Sequence, residues 1–235
     1  APNKEMRTSV VYNRLSSNLF DDHMLPDETH VSERQYPLIF KLISSKNPGT
    51  VSKDDKSIYL VFYDTAGEAF ESTEHIDRMA KHLVESSGII LLVDPFSIGK
   101  LRTRMATAGI PLPERSNVNV FDALANMIEK AGVDKKFLNK YMALTFSKFD
   151  AVDEGLDACG ENRVMDMSKN SPFLKSGIYS IDDTYSVDRR LDKFVTDICD
   201  EGQMLHDVGT KFDRANGNLC LFAVSSLGRC PDGNN

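Results

Sequence analysis

The segment Ile58-Tyr59-Leu60-Val61-Phe62-Tyr63-Asp64-Thr65-Ala66-Gly67-Glu68 constrains this chain more than any other. Six mostly β-branched or aromatic residues without a charge suit a strand covered on both faces, and such strands occur chiefly in parallel sheets flanked by helices. An acid then stands at the carboxyl end of the strand, where open α/β sheets bind their ligands. In that position Asp64 has the chemistry to hold Mg2+ directly or through water. Gly67, having no Cβ, lets its backbone N–H come close to a terminal phosphate. The D-x-x-G spacing serves both needs, and it also occurs in ordinary turns after strands, where Asp and Gly are common.

Two further strand-like runs end in polar groups. Tyr141-Met142-Ala143-Leu144-Thr145-Phe146 leads into Ser147-Lys148-Phe149-Asp150, and Leu219-Cys220-Leu221-Phe222-Ala223-Val224 leads into Ser225-Ser226-Leu227-Gly228. Taken singly, S-K-x-D is most often a solvated loop and S-S-x-G a turn. The three motifs in this order resemble those of the Ras-like, translation-factor-related GTPase superclass, in which N/T-K-x-D follows one strand and S-A-x follows the last. Within it, the D-T-A-G-E variant, the large insertions and Leu25-Pro26-Asp27-Glu28-Thr29 look most like the bacterial double-GTPase group.

The resemblance implies a guanine-nucleotide-binding switch domain that uses GTP or GDP with Mg2+. Asp150 would accept from two adjacent N–H groups on the guanine edge, a bidentate pairing that adenine cannot offer. Lys148 would lay its methylene stem against the base, and the backbone at Ser225 and Ser226 would donate to the guanine carbonyl. Asp64 would serve the Mg2+ and Gly67 the γ-phosphate. Thr29 is a candidate for the switch threonine that completes the Mg2+ shell, with a plain turn threonine after Pro26 as the alternative. Glu68 takes the catalytic position.

Two departures limit what carries over. No G-x-x-x-x-G-K-[ST] occurs, and the one candidate lysine, Lys100 in Ser97-Ile98-Gly99-Lys100, has Asp94 where the first glycine belongs. In P-loop enzymes that loop cradles the phosphates and its hydroxyl holds Mg2+, so most nucleotide affinity and catalysis are expected to be missing from this chain. Glu68 stands where Ras-like enzymes often carry a water-orienting glutamine. A carboxylate beside a γ-phosphate is repelled unless protonated or metal-bound, which argues against hydrolysis by the Ras route.

The first residues, Ala1-Pro2-Asn3, lack an initiator Met, and Gly228 to Asn235 looks cut. Between Val10 and Phe20, apolar residues at Val11, Leu15 and Leu19, with Tyr12 and Phe20 on the adjoining row, have a helical period suited to the helix after a P-loop. Two readings follow. One is a fragment of a larger GTPase whose phosphate loop lies outside these residues, and the other is a pseudo-GTPase that binds protein without hydrolysing nucleotide.

Composition allows one sizeable α/β core in a single domain over 1–235, with 41% hydrophobic residues. A net charge of −7 and the lack of any basic run argue against a nucleic-acid partner, leaving the guanine nucleotide and a protein effector. The longest apolar stretch, Gly88 to Val93, is far too short to span a membrane. Cys159, Cys199, Cys220 and Cys230 form no C-x-x-C pair, which favours reduced thiols and a cytoplasmic location.

Strands are expected at about 36–43, 58–64, 88–94, 140–146 and 219–225, giving a mostly parallel sheet with flanking helices and an antiparallel hairpin at one edge. Phe121 to Lys130 reads as a helix. Residues 151 to about 186 read as an irregular insertion, a lid or partner surface, and Val187 to His206 as one helix. In the resembling fold the strand before the P-loop lies between the strands ending at Asp64 and Asp94. The chain must therefore pair those two directly, fill the slot with another segment, or lack a central strand. Separate sheets with both edges exposed to water would sink the Ras-like architecture and most of the functional reading with it.

Overall fold

The computed structural model describes residues 9, 12–13, 16–17, 38–44, 56–62, 84–110, 112, 120–130, 140–165 and 180–225. The chain divides into two compact units, 1–71 and 72–235.

In the first unit, β1 (Leu38–Ser44) and β2 (Lys56–Phe62) form an antiparallel hairpin, with Leu38 opposite Phe62 and Ser44 opposite Lys56. Lys41 stands directly across from Tyr59, and its ammonium lies 5.8 Å from the ring centroid, a cross-strand cation–π contact. Helical backbone at Tyr12, Asn13 and Ser16 fits the expected N-terminal helix, and the Tyr12 ring meets Phe40 edge-on at 5.8 Å.

The hairpin corrects one expectation. Neighbouring residues Ile58 and Tyr59, which point to opposite faces, are 59% and 64% exposed, so β2 is not covered on both sides. An apolar run reports the strand and not the layers around it, and those layers depend on which other strands complete the sheet.

In the second unit, β3 (Gly88–Val93), β4 (Tyr141–Phe146) and β5 (Leu219–Ala223) form a parallel sheet in the order 3-4-5, with Leu91, Leu144 and Leu221 in register. This is the expected parallel α/β arrangement. The hairpin, however, belongs to a separate sheet and is not an edge of this one. Among the described residues β2 pairs only with β1, and β3 only with β4. The slot that a central strand would occupy is not filled by direct pairing of β2 and β3.

The connecting helices each bury one stripe. Helix α1 (Gly99–Thr107) buries Leu101 and Met105, and α2 (Val120–Lys130) buries Phe121, Leu124 and Ile128. Helix α3 (Phe149–Ala158) buries Phe149, Val152 and Leu156, and its Gly155 sits against Met105 of α1, where a Cβ would collide with the sulfur. On the sheet, Met142, Leu144, Phe146, Leu219 and Leu221 share one buried face, none more than 2% exposed. The other face is open at β3, where Ile90 and Leu92 are 71% and 61% exposed.

The two sheet edges differ. Along β5, the outward N–H of Leu221 donates to Asp188 of α4 (Ile181–Lys193) at 2.8 Å, and Arg214 ties Asp188 to Asp192 at 3.1 and 3.0 Å. A helix carboxylate thus satisfies an edge donor that another strand would otherwise seek.

Two further expectations are corrected. The supposed irregular insertion is helical at both ends, since α3 fills 149–158 and α4 starts at Ile181 behind Ser180, whose hydroxyl accepts from Asp183 N–H. Asp153, 1% exposed, stabilises the chain after α3 by accepting from the N–H groups of Val164 and Met165. Its polar character disguised a helix, because Asp and Gly lower helix propensity while buried partners restore it. The single helix over 187–206 is also broken. Helix α4 runs into a π turn, Phe194–Ile198, and after Asp200 at φ 62° a new helix, α5 (Gly202–Lys211), begins. The apolar spacing continues across the break, so periodicity alone does not reveal it. No described helix is long and apolar enough to cross a membrane.

Candidate functional site

Parallel strands place their carboxyl ends side by side, and here two of the expected polar turns, after β4 and β5, meet the acidic end of β3. Ser147 caps β4 by donating twice to the carbonyl of Val93, from its N–H at 2.9 Å and its hydroxyl at 3.1 Å. Phe149 N–H donates to Val224 at 3.2 Å, and Val224 N–H to Phe146 at 2.8 Å. These bonds stitch the ends of β3, β4 and β5 into one rim bearing Asp94, Lys148, Asp150 and Ser225.

Within Ser147-Lys148-Phe149-Asp150, the variable third position does the anchoring. Phe149 is fully buried, with its ring centroid 5.1 Å from Phe194 and 6.4 Å from Phe146. Lys148, just before α3, adopts left-handed backbone angles of 52° and 32°, which a non-glycine residue takes only when its surroundings enforce it. The chain therefore turns sharply at Lys148, plants Phe149 in the core and starts α3 with Asp150 in its first turn.

Asp150 is 7% exposed, and its carboxylate has no hydrogen-bond partner among the described residues. The neighbouring N–H groups are already engaged, Phe149 with Val224 and both Ala151 and Val152 with the Lys148 carbonyl. The Asp150 oxygens are not among the fully buried unpaired atoms, so they remain open to water or a ligand at the rim. Lys148, in contrast, is engaged: its ammonium lies 2.8 Å from Asp94.

Of the residues proposed from sequence, the structure thus brings Lys148, Asp150 and Ser225 to one rim. Asp64, Gly67, Glu68, Thr29 and Ser226 lie outside the described residues. Lys100, the only candidate phosphate lysine, binds Asp200 at 2.6 Å, and that hydrogen bond holds the Asp200 carboxyl below its ordinary range. Among the described residues no group of three or more His, Cys, Asp or Glu side chains is placed to hold a metal ion.

The sequence reading missed Asp94 as a member of the rim. Its signal was there, since Asp94 ends a strand as Asp64 does. Comparison with protein-family models, with curated proteins and with solved structures finds no match to this chain.

Proposed function

We propose that the parallel-sheet unit is the base-binding half of a guanine-nucleotide site and that this chain does not hydrolyse GTP. The observation that carries the reading is Asp150, a residue 7% exposed whose carboxylate has no hydrogen-bond partner among the described residues and stays open at the end of the central strand. Two acceptor oxygens so placed match the paired N–H groups of a guanine edge and repel the lone pairs that adenine presents. Lys148 and the Ser225 backbone flank it, in the order the GTPase resemblance requires. The separate antiparallel hairpin counts against a complete Ras-like sheet, so the reading rests on the rim of the parallel sheet alone. Mg2+ and the phosphates would fall to Asp64, Gly67 and Thr29, with Glu68 beside them.

The division of the sheet favours the second reading, a pseudo-GTPase that binds a protein effector. Asp64 follows a strand of one sheet while Asp150 follows a strand of the other, so the phosphate and base residues share no described ladder.

The two readings separate on base recognition, which needs no phosphate loop. Titration of the full chain with GMP should shift the amide resonances of residues 147–151 and 225, and AMP should not. Asp150→Asn should weaken GMP binding by about 1.5–3 kcal/mol, the worth of a hydrogen bond to a charged group, and improve binding of XMP, whose edge suits a mixed amide. Equal shifts with GMP and AMP, or none with either, would leave the interaction module as the function.

A further inference from the structure

We infer that Asp94 is the positioning residue for the base-contacting lysine, a role that rests on the guanine reading of the site. Its two carboxylate oxygens have separate tasks. Oδ1 accepts from the N–H of Phe96 at 3.0 Å, capping the 3-10 turn Pro95–Ser97, while Oδ2 accepts from the ammonium of Lys148 at 2.8 Å.

The cap makes Asp94 a rigid anchor. Pro95 and Phe96 are buried, and the Ser97 hydroxyl and N–H both return to the Asp94 carbonyl, at 2.7 and 3.0 Å. A lysine has four rotatable side-chain bonds and loses much freedom when it is held. At Lys148 two constraints supply the ordering: its backbone is locked in the left-handed region between Ser147, tied to Val93, and buried Phe149, and its head is tied to Asp94. With both ends fixed, the methylene stem spans from the end of β4 toward the end of β3. A planar base arriving at Asp150 then meets a stem already extended beside it instead of one it must order.

Asp94 acts through Lys148 and touches no ligand itself. Asp94→Asn separates its two tasks, because an amide oxygen still caps Phe96 while the charge that holds the ammonium is gone. Both groups are partly exposed, so the pair supplies about 1 kcal/mol or less, and the expected loss of GMP affinity is roughly fivefold at most. In the same variant the melting temperature should fall by no more than about 4 °C, and 13C and 15N relaxation at the Lys148 side-chain terminus should change from ordered to mobile.

Lys148→Met keeps the stem and removes the charge, so adding Asp94→Asn to it should cause no further loss of GMP affinity. An additive loss in the double variant, or wild-type affinity in Asp94→Asn, would overturn the positioning role while leaving guanine recognition standing. Failure of the wild type to bind GMP, with the Lys148 terminus still ordered, would overturn the base reading and with it the purpose of the pair.

Discussion

Phe194→Ala is expected to lower the unfolding free energy of the parallel-sheet unit by about 3–5 kcal/mol, the range for removing a large aromatic from a close-packed core. Phe194 is 1% exposed and is the first residue of the π turn. Its ring stands nearly perpendicular to Phe146, with centroids 5.6 Å apart, and to Phe149 at 5.1 Å. Each such edge-to-face pair adds about 0.5–1.5 kcal/mol beyond the area it buries. The three rings come from the end of β4, the start of α3 and the junction between α4 and α5, so no one element can move to refill the cavity. Urea unfolding followed by circular dichroism gives the difference, and Thr196→Ala, an exposed change in the same turn, should stay within about 0.5 kcal/mol of wild type. A loss below 1 kcal/mol for Phe194→Ala would mean that the cluster is not closely packed.

The contrast between Phe149 and Asp64 shows what the sequence disclosed. The three parallel strands were legible because each is a short apolar run ending in polar residues, and register along a sheet follows from that pattern. The rim at Lys148, Asp150 and Ser225 followed, since parallel strands must bring their carboxyl ends together. The packing of Phe149 was not legible, because a variable position within a motif carries no sign of what it touches. The helix at 149–158 was hidden for a related reason. Asp153 and Gly155 look like loop residues, yet one satisfies two backbone donors and the other admits the Met105 side chain. The separation of the hairpin from the sheet could not be read either: strand propensity is local, whereas the pairing of β2 or β3 with another strand depends on chain far away in sequence.

At the other end of the same π turn, Cys199 is expected to make folding stability fall steeply between about pH 9 and pH 12. Its thiol is 1% exposed, and its N–H donates to the carbonyl of Phe194 at 3.0 Å, which holds it against the aromatic cluster. Burial pushes its pKa from 9.0 up to about 12, the nearby Glu201 carboxylate adds to the rise, and Arg104 opposes it. Below pH 9 the thiol is protonated in both states and contributes no pH dependence. As the pH rises past 9 the unfolded chain releases this proton while the folded chain retains it, so stability declines until the folded thiol also ionises near 12. A shift of that size corresponds to about 4 kcal/mol once both values are passed. Other groups titrate over the same range, and Cys199→Ala isolates the thiol: the variant begins less stable for lack of the sulfur, but its stability should fall less steeply, and the gap to wild type should narrow or reverse as the pH approaches 11. Cys159, exposed on the surface, supplies the kinetic counterpart, since it should react with iodoacetamide in the native protein while Cys199 reacts only on unfolding. Parallel pH profiles for wild type and Cys199→Ala would show that the thiol ionises as freely folded as unfolded, and would place water against a side chain that is 1% exposed in the structure.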